Sequence, residues 1–527
     1  MKKLLLTAVV GALPMVMAAQ GATDAYMLAQ PDMKGTARFM SMAGAFGALG
    51  GDLSTLSQNP AGVGVYRSSE VGVTLNLDFQ STSATSMGET RNTDQVKFSC
   101  PNFGYVGAAN LNSDVMPYIT WGIGYSRIAS FDRVYSGYIP QLSTSMSNYV
   151  AYFTNRPNGT PEDVLMYRQD YNPYSSSDAP WLSILGYNSY IINPVGTSND
   201  IYNGLWKNGT SGNATFTVRE KGYVDQFDLD LGGNIMDVVY WGVGVGITDL
   251  AFATDAYYDE ELVDARISDA RTEGTENGDA WYGLRNFSKV RGTGVNIKAG
   301  VIVKPVNELR FGLAVHTPTY YDLQHEMLGE CEYSYSSGIE GYSQTDDGWM
   351  AFYKSGYNSP WRLIASVAGV IGGRGIISAD YEYVGYGSMS VEDDLGMEYF
   401  DVAEDIDNYY EDSHILRVGG EYRVTPQFSL RAGYSYQSSP ADDDAISNKE
   451  YIYTSGTNPA YIFDKSTQYM TAGLGYRFKA FYVDLAYVHK MRESIYRPFT
   501  SFEGNQSPSA LITDHNNQVI MSLGVKF

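Results

Sequence analysis

The chain is 527 residues long, with a net charge of −23 at neutral pH and two cysteines, Cys100 and Cys331. That acidity excludes a protein that holds nucleic acid or another polyanion through its net charge. Two isolated cysteines exclude a disulfide-stapled scaffold and leave open whether the pair bonds in an oxidising compartment or stays free.

Met1-Lys2-Lys3, an apolar run over 4–17 and the small residues Ala18, Ala19, Gly21 and Ala22 form the three regions of a secretory signal peptide, so 1–22 is read as a leader cut between 19 and 23. No cysteine nearby offers a lipid anchor, and no later apolar stretch approaches the ~20 residues of a membrane helix. Next comes 35–62, GTARFMSMAGAFGALGGDLSTLSQNPAG. Its run 37–49 is too short to cross a bilayer and too rich in glycine to be a stable lone helix, so something must enclose it. Asn59-Pro60-Ala61-Gly62 reads as a tight turn: Pro fixes its own φ, Asn is favoured before it, and Gly is free to take φ > 0.

From Glu70 onward apolar and polar residues alternate, the signature of strands with one greasy and one wet face. Fourteen strands are predicted, near 69–83, 93–110, 117–138, 222–235, 239–262, 286–304, 307–335, 360–373, 375–393, 413–425, 427–440, 466–479, 481–500 and 515–527. In the last, Val519, Met521, Leu523, Val525 and Phe527 share one face, and the chain ends on an aromatic residue as many outer-membrane barrels do. The connections alternate. The short ones (111–116, 235–239, 304–307, 372–375, 424–427, 479–481) are expected at the periplasm and the long ones (139–221, 263–285, 334–359, 392–412, 437–466, 500–514) outside. The segment 392–412 holds ten Asp or Glu and no Lys or Arg. It is read as a solvated acidic loop, with divalent cations or lipopolysaccharide as its alternative ligands.

Setting the apolar faces outward turns Asp228, Asp230, Lys298, Arg310, Asp380, Glu382, Arg417, Glu421, Arg423, Arg431, Arg477 and Asp484 inward. Charges facing lipid near the midplane cost ~2–4 kcal/mol each, so this phase predicts an all-β, antiparallel transmembrane β-barrel with a polar lumen. Aromatic residues near strand ends, such as Tyr381, Tyr434, Tyr476, Phe481 and Tyr487, suit interfacial girdles. No catalytic constellation accompanies this pattern. Gly44-x-x-Gly47-x-x-Gly50-Gly51 lacks the preceding strand of a phosphate loop, no GxSxG context supports a hydrolase, and the five histidines have no zinc spacing. No enzyme activity, metal or cofactor is therefore expected; His316 and His325, on the seventh predicted strand, leave haem binding as a minor alternative.

The leader, the fourteen strands and the segment running from Gly35-Thr36-Ala37-Arg38 through Met42-Ala43-Gly44-Ala45 to Asn59-Pro60-Ala61-Gly62 together resemble the FadL outer-membrane transport family over the whole mature chain. The resemblance implies that 23–66 folds as a plug inside the barrel 67–527. It also implies that hydrophobic small molecules, long-chain fatty acids or similar, bind in the lumen and leave sideways through a gap in the third strand. Gly122 and Gly124, facing inward on that strand, are the expected lateral opening, with Gly242, Gly244 and Gly246 of the fifth as the rival. Lys298, Arg310, Arg417, Arg431 and Arg477 are candidates to bind a ligand carboxylate; alternatively they balance Asp380, Glu382, Glu421 and Asp484 across the wall. The expected partners are a hydrophobic ligand, outer-membrane lipid and lipopolysaccharide, and the barrel-assembly machinery, with no nucleic acid and a monomeric state. PorV-type barrels, which shuttle or anchor secreted proteins, share the Asn-Pro-Ala-Gly turn and provide the alternative function. The insert 139–221 departs from the better-known members.

Overall fold

A computed structural model describes residues 21–30, 32–156, 158–196, 198–268, 275–348, 350–447, 449 and 451–527; of the leader expected over 1–22, residues 1–20 lie outside them. Fourteen antiparallel strands close into a barrel. They are β1 (Glu70–Ser86), β2 (Glu89–Asn110), β3 (Tyr118–Ser130, resuming as Arg133–Ile139), β4 (Ser211–Ile235), β5 (Val239–Ser268), β6 (Thr275–Val306) and β7 (Leu309–His316 with Tyr320–Tyr335). Then follow β8 (Ala351–Asn358 with Trp361–Ile371), β9 (Gly375–Gly385 with Ser390–Glu392), β10 (Ser413–Arg423), β11 (Phe428–Gln437), β12 (Tyr461–Phe478), β13 (Phe481–Arg497) and β14 (Ala510–Lys526). Each strand pairs with the next, and β14 returns to β1 from Lys526 opposite Glu70 to Leu511 opposite Thr85, which closes the seam.

The alternation fixes which side faces lipid. Leu416, Val418, Leu485, Val519 and Leu523 are exposed on the outer surface, while Asp228, Lys298, Asp380, Glu382 and Asp484 are buried on the inner one. Arg423 and Arg477 share the inward phase but stand exposed at the rim that carries the short turns. Tyr381, Tyr434 and Tyr487 toward the long loops, and Tyr476, Phe478 and Phe481 near the short turns, are exposed aromatics that form two girdles.

The strands run further outward than their alternation suggests. β5 has 30 residues and β6 has 32, against the ~9–11 that cross a bilayer. Their outer halves carry a cap. The insert read as a long loop contains α4 (Met146–Thr154), α5 (Glu162–Leu165), α6 (Pro173–Ser176) and α7 (Trp181–Asn188), and its last residues belong to β4. α4 starts on a buried carboxylate: Glu260 accepts hydrogen bonds from the Ser145 hydroxyl at 2.5 Å and the Met146 N–H at 2.9 Å, satisfying an otherwise orphaned helix N-terminus. Tyr149, Val150, Ile184 and Leu185 of the cap share one apolar core with Phe216, Tyr282, Tyr496 and Phe499 of the strands and their connections, and this core fills the outer mouth.

The acidic loop is likewise more ordered than its charge suggests. α8 (Phe400–Tyr409) turns Val402, Ile406 and Tyr409 inward at helical spacing. There they join the cluster formed by α1 (Ala22–Ala29), whose Tyr26 ring stacks on Tyr410 at 4.7 Å.

Candidate functional site: the plugged lumen

Inside the barrel lie α1, α2 (Ala37–Ser41), α3 (Thr55–Gln58) and a 3-10 turn over Pro60–Val65. Local chemistry shapes this segment. Thr36 caps α2 by accepting the Phe39 N–H at 3.2 Å, and the Asn59 side chain accepts the Ala61 N–H at 3.1 Å, so that Asn59-Pro60 opens the 3-10 turn as the motif predicts. Gly50 and Gly51, both at φ near +66°, reverse the chain and bring the Gly51 N–H 3.1 Å from the Gly62 carbonyl.

The wall is cut to fit this segment. A methyl group at Gly122 or Gly124 would strike Leu56, one at Gly242 the Pro60 carbonyl, one at Gly300 the Asn59 side chain, and one at Gly312 the Gly47 backbone. Gly122, Gly124, Gly242 and Gly300 are thus the imprint of the turn 55–65, whereas Gly244 and Gly246 of β5 face the Asp230, Gln226 and Asn296 side chains of the wall.

Wall charges hold the plug in that seat. Asp380 accepts the N–H groups of Phe46 and Gly47 at 3.0 and 2.9 Å and the Gln58 amide at 3.2 Å. Lys298 donates to the Leu56 carbonyl at 2.6 Å while pairing with Asp228, Arg310 donates to the Leu49 carbonyl at 2.7 Å, and His316 lies 2.7 Å from the Gln58 carbonyl. Arg431 bridges Glu421 and Asp484, each at 2.6 Å, and Glu421 also takes Arg38 of the plug at 3.0 Å. Arg417 pairs with Glu382 at 2.6 Å, and its second terminal nitrogen, Nη1, is buried without a hydrogen-bond partner. Of the five cations considered for a ligand, then, Lys298 and Arg310 grip plug carbonyls, Arg431 and Arg417 sit in ion pairs, and Arg477 is out at the rim.

Above α3 a cavity of about 120 Å³ is lined by Leu28, Met33, Phe39, Ile128, Ala129 and Arg417, among others. A second, of about 30 Å³, borders Ala129, Ser130 and Phe131 from the other side of the plug. Both meet the wall on β3.

The expected opening at Gly122 and Gly124 needs correction. There β3 is paired on both sides, Gly122 to Val106 and Asp230, Gly124 to Gly104 and Asp228, so the wall is closed. Pairing between β2 and β3 stops just beyond, after Asn102 opposite Ser126. β3 then slips register on β4 between Arg127 and Ala129 and turns into the lumen, where Arg133 reaches Asp514 of β14 at 2.8 Å. The cause is legible in β2: Pro101 has no N–H to give a ladder, and β1 slips register against it between Thr74 and Asn76. Strand alternation predicts a strand through Pro101, and β2 does run through it; what the alternation does not carry is the loss of pairing to β3. It also misses His316 and Asp380 as plug anchors, for which the sequence carries no local signal.

No family model matches the sequence, and no curated protein resembles it significantly. Solved structures do. A Pseudomonas aeruginosa FadL homologue is 14% identical, with a TM-score of 0.54 over 94% of this chain and 99% of its own. The P. putida toluene transporter TodX is 15% identical, covering 94% and 99% with a TM-score of 0.48, and the Ralstonia pickettii toluene transporter TbuX 14% identical, covering 93% and 98% with a TM-score of 0.47. On the first of these likenesses and the closed, plugged ring of fourteen strands, this chain has the fold of the FadL-type outer-membrane barrels.

Proposed function

We propose that this chain is a bacterial outer-membrane channel for uptake of hydrophobic small molecules, held in the cavity above the plug and released sideways between β2 and β3. The observation that carries the reading is a coincidence of place: the cavity reaches the wall at Ile128 and Ala129, where β3 has parted from β2. A molecule leaving there passes from the lumen toward lipid without crossing the plug. For the ligand itself we favour an amphiphile with one carboxylate, such as a long-chain fatty acid, because the unpartnered Arg417 Nη1 shares the cavity with the aliphatic Leu28, Met33 and Ile128. Mass spectrometry of lipids extracted from the purified barrel tests this: a bound monocarboxylate that Arg417→Ala releases supports it, and a wild-type barrel free of any small hydrophobe overturns it.

One observation favours a second reading. The packed cap that fills the outer mouth presents a built extracellular surface, as a PorV-like carrier of secreted proteins would need. Proteins that co-purify with the barrel in place of lipids, and are lost when the cap helices are removed, would decide for it.

A further inference from the structure

We propose that the ion pair of Lys97 with Asp132 is the latch of the lateral passage and that β2, not β3, is the margin that moves. This rests on the channel reading above. Over 89–101 and 127–139 the two strands exchange no ladder hydrogen bonds. Among the described residues, what links them there is side-chain contact: Lys97 with Asp132, and the Arg91 guanidinium 5.2 Å from the Tyr138 ring.

The two margins are unequally held. On β3, Arg127 grips Asp225 of β4 with two nitrogens at 2.8 and 3.0 Å, and Arg133 reaches Asp514 of β14 behind β1. Asp132 itself is fixed by the Ser130 hydroxyl at 3.0 Å. The outer half of β2 has a ladder only with β1, joined through the tight Met87-Gly88 turn, and its residues from Glu89 to Asn92 are exposed. Lys97 is therefore the movable half of the latch and Asp132 its fixed strike. The lysine side chain is 36% exposed, so water competes for the charge and the pair parts far more readily than a strand ladder would. A passage fastened this way opens for a passing solute and recloses behind it, with the barrel seam untouched.

The test uses two readouts in the full-length protein, with Cys100→Ser and Cys331→Ser. In liposomes, Ala129→Cys reports access from lipid to the lumen through its labelling by an apolar maleimide dissolved in the bilayer. Lys97→Met or Asp132→Asn should speed labelling about two- to five-fold, the range expected for loss of a partly exposed ion pair, and the charge exchange Lys97→Asp with Asp132→Lys should return it to the starting rate. In cells, a short reducible bis-methanethiosulfonate bridge between Lys97→Cys and Asp132→Cys should stop uptake of a radiolabelled fatty acid until reductant is added. Unchanged labelling in both single variants overturns the latch, as does undiminished uptake through the bridged protein. Labelling that follows the latch in a protein that takes up no fatty acid overturns the ligand and channel reading instead and leaves the latch standing.

Discussion

Gly242 faces the Pro60 carbonyl so closely that any side chain there meets backbone, which cannot rotate away. Gly122 faces only the end of the Leu56 side chain, which can. Gly242→Val is therefore expected to lift the plug and raise ion conductance in planar bilayers, while Gly122→Ala leaves conductance close to wild type; equal effects would mean that the turn 59–62 is not seated as described. Asp380→Ala should act like Gly242→Val by a different route, since it strands three donors whose charge-assisted bonds are worth about 1.5–3 kcal/mol each. Barrel assembly, read from heat-modifiable migration in gels, should survive in all three. At this scale the sequence speaks clearly about direction and poorly about partners. Strand alternation tells that Lys298 and Asp380 face inward; it cannot tell that they hold Leu56 and Gly47, because those partners lie hundreds of positions away and are brought near only by barrel closure.

The plug is the element whose removal should be most visible. It meets the wall through glycine seats and side-chain bonds and adds no strand to the ladder, so deleting 35–58 is expected to leave a folded barrel that conducts far better than the intact one; equal conductance would place the segment outside the lumen. α8 responds to pH instead. Burial lifts the Asp405 carboxyl to about 6, with the Tyr409 hydroxyl at 2.9 Å opposing. The docked helix then binds more protons than the released one between the ordinary value of 3.8 and about 6, so docking weakens as pH rises through that window and stays constant above it. Hydrogen exchange of 400–409, corrected for its intrinsic pH dependence, should show more protection at pH 5 than at pH 7.5, and Asp405→Asn should abolish the difference. The loop containing α8 looked featureless because ten carboxylates masked an apolar stripe of three residues. The outer ends of β4 to β6 were cut short for a related reason. Above the membrane no lipid selects an apolar outer face, so the period-two pattern that marks a transmembrane strand fades while the ladder continues.

For the molecule as a whole, the even strand count and the short turns place the start of β1 and the end of β14 on one side and the cap on the other, while α1 reaches through the lumen to the outer loops beside α8. An epitope within 392–412 should be reachable on intact cells and one in the turn 424–427 should not; labelling of the latter without permeabilisation would reverse the orientation. The cap fills the outer mouth and the plug fills the lumen beneath it. They also constrain how the protein can be made. The plug segment precedes every strand in the chain, yet Ala37 bonds to Ser522 and Ser41 to Thr471, near the opposite terminus. With the cap filling the outer mouth, a ring already sealed between β1 and β14 admits that segment only through the opposite end, where Ser69 bonds to Phe527 beside the start of β1. The segment's seating is thereby tied to the closure of the ring, because Ser522 and Thr471 stand ready to hold it only once the last strands are in place.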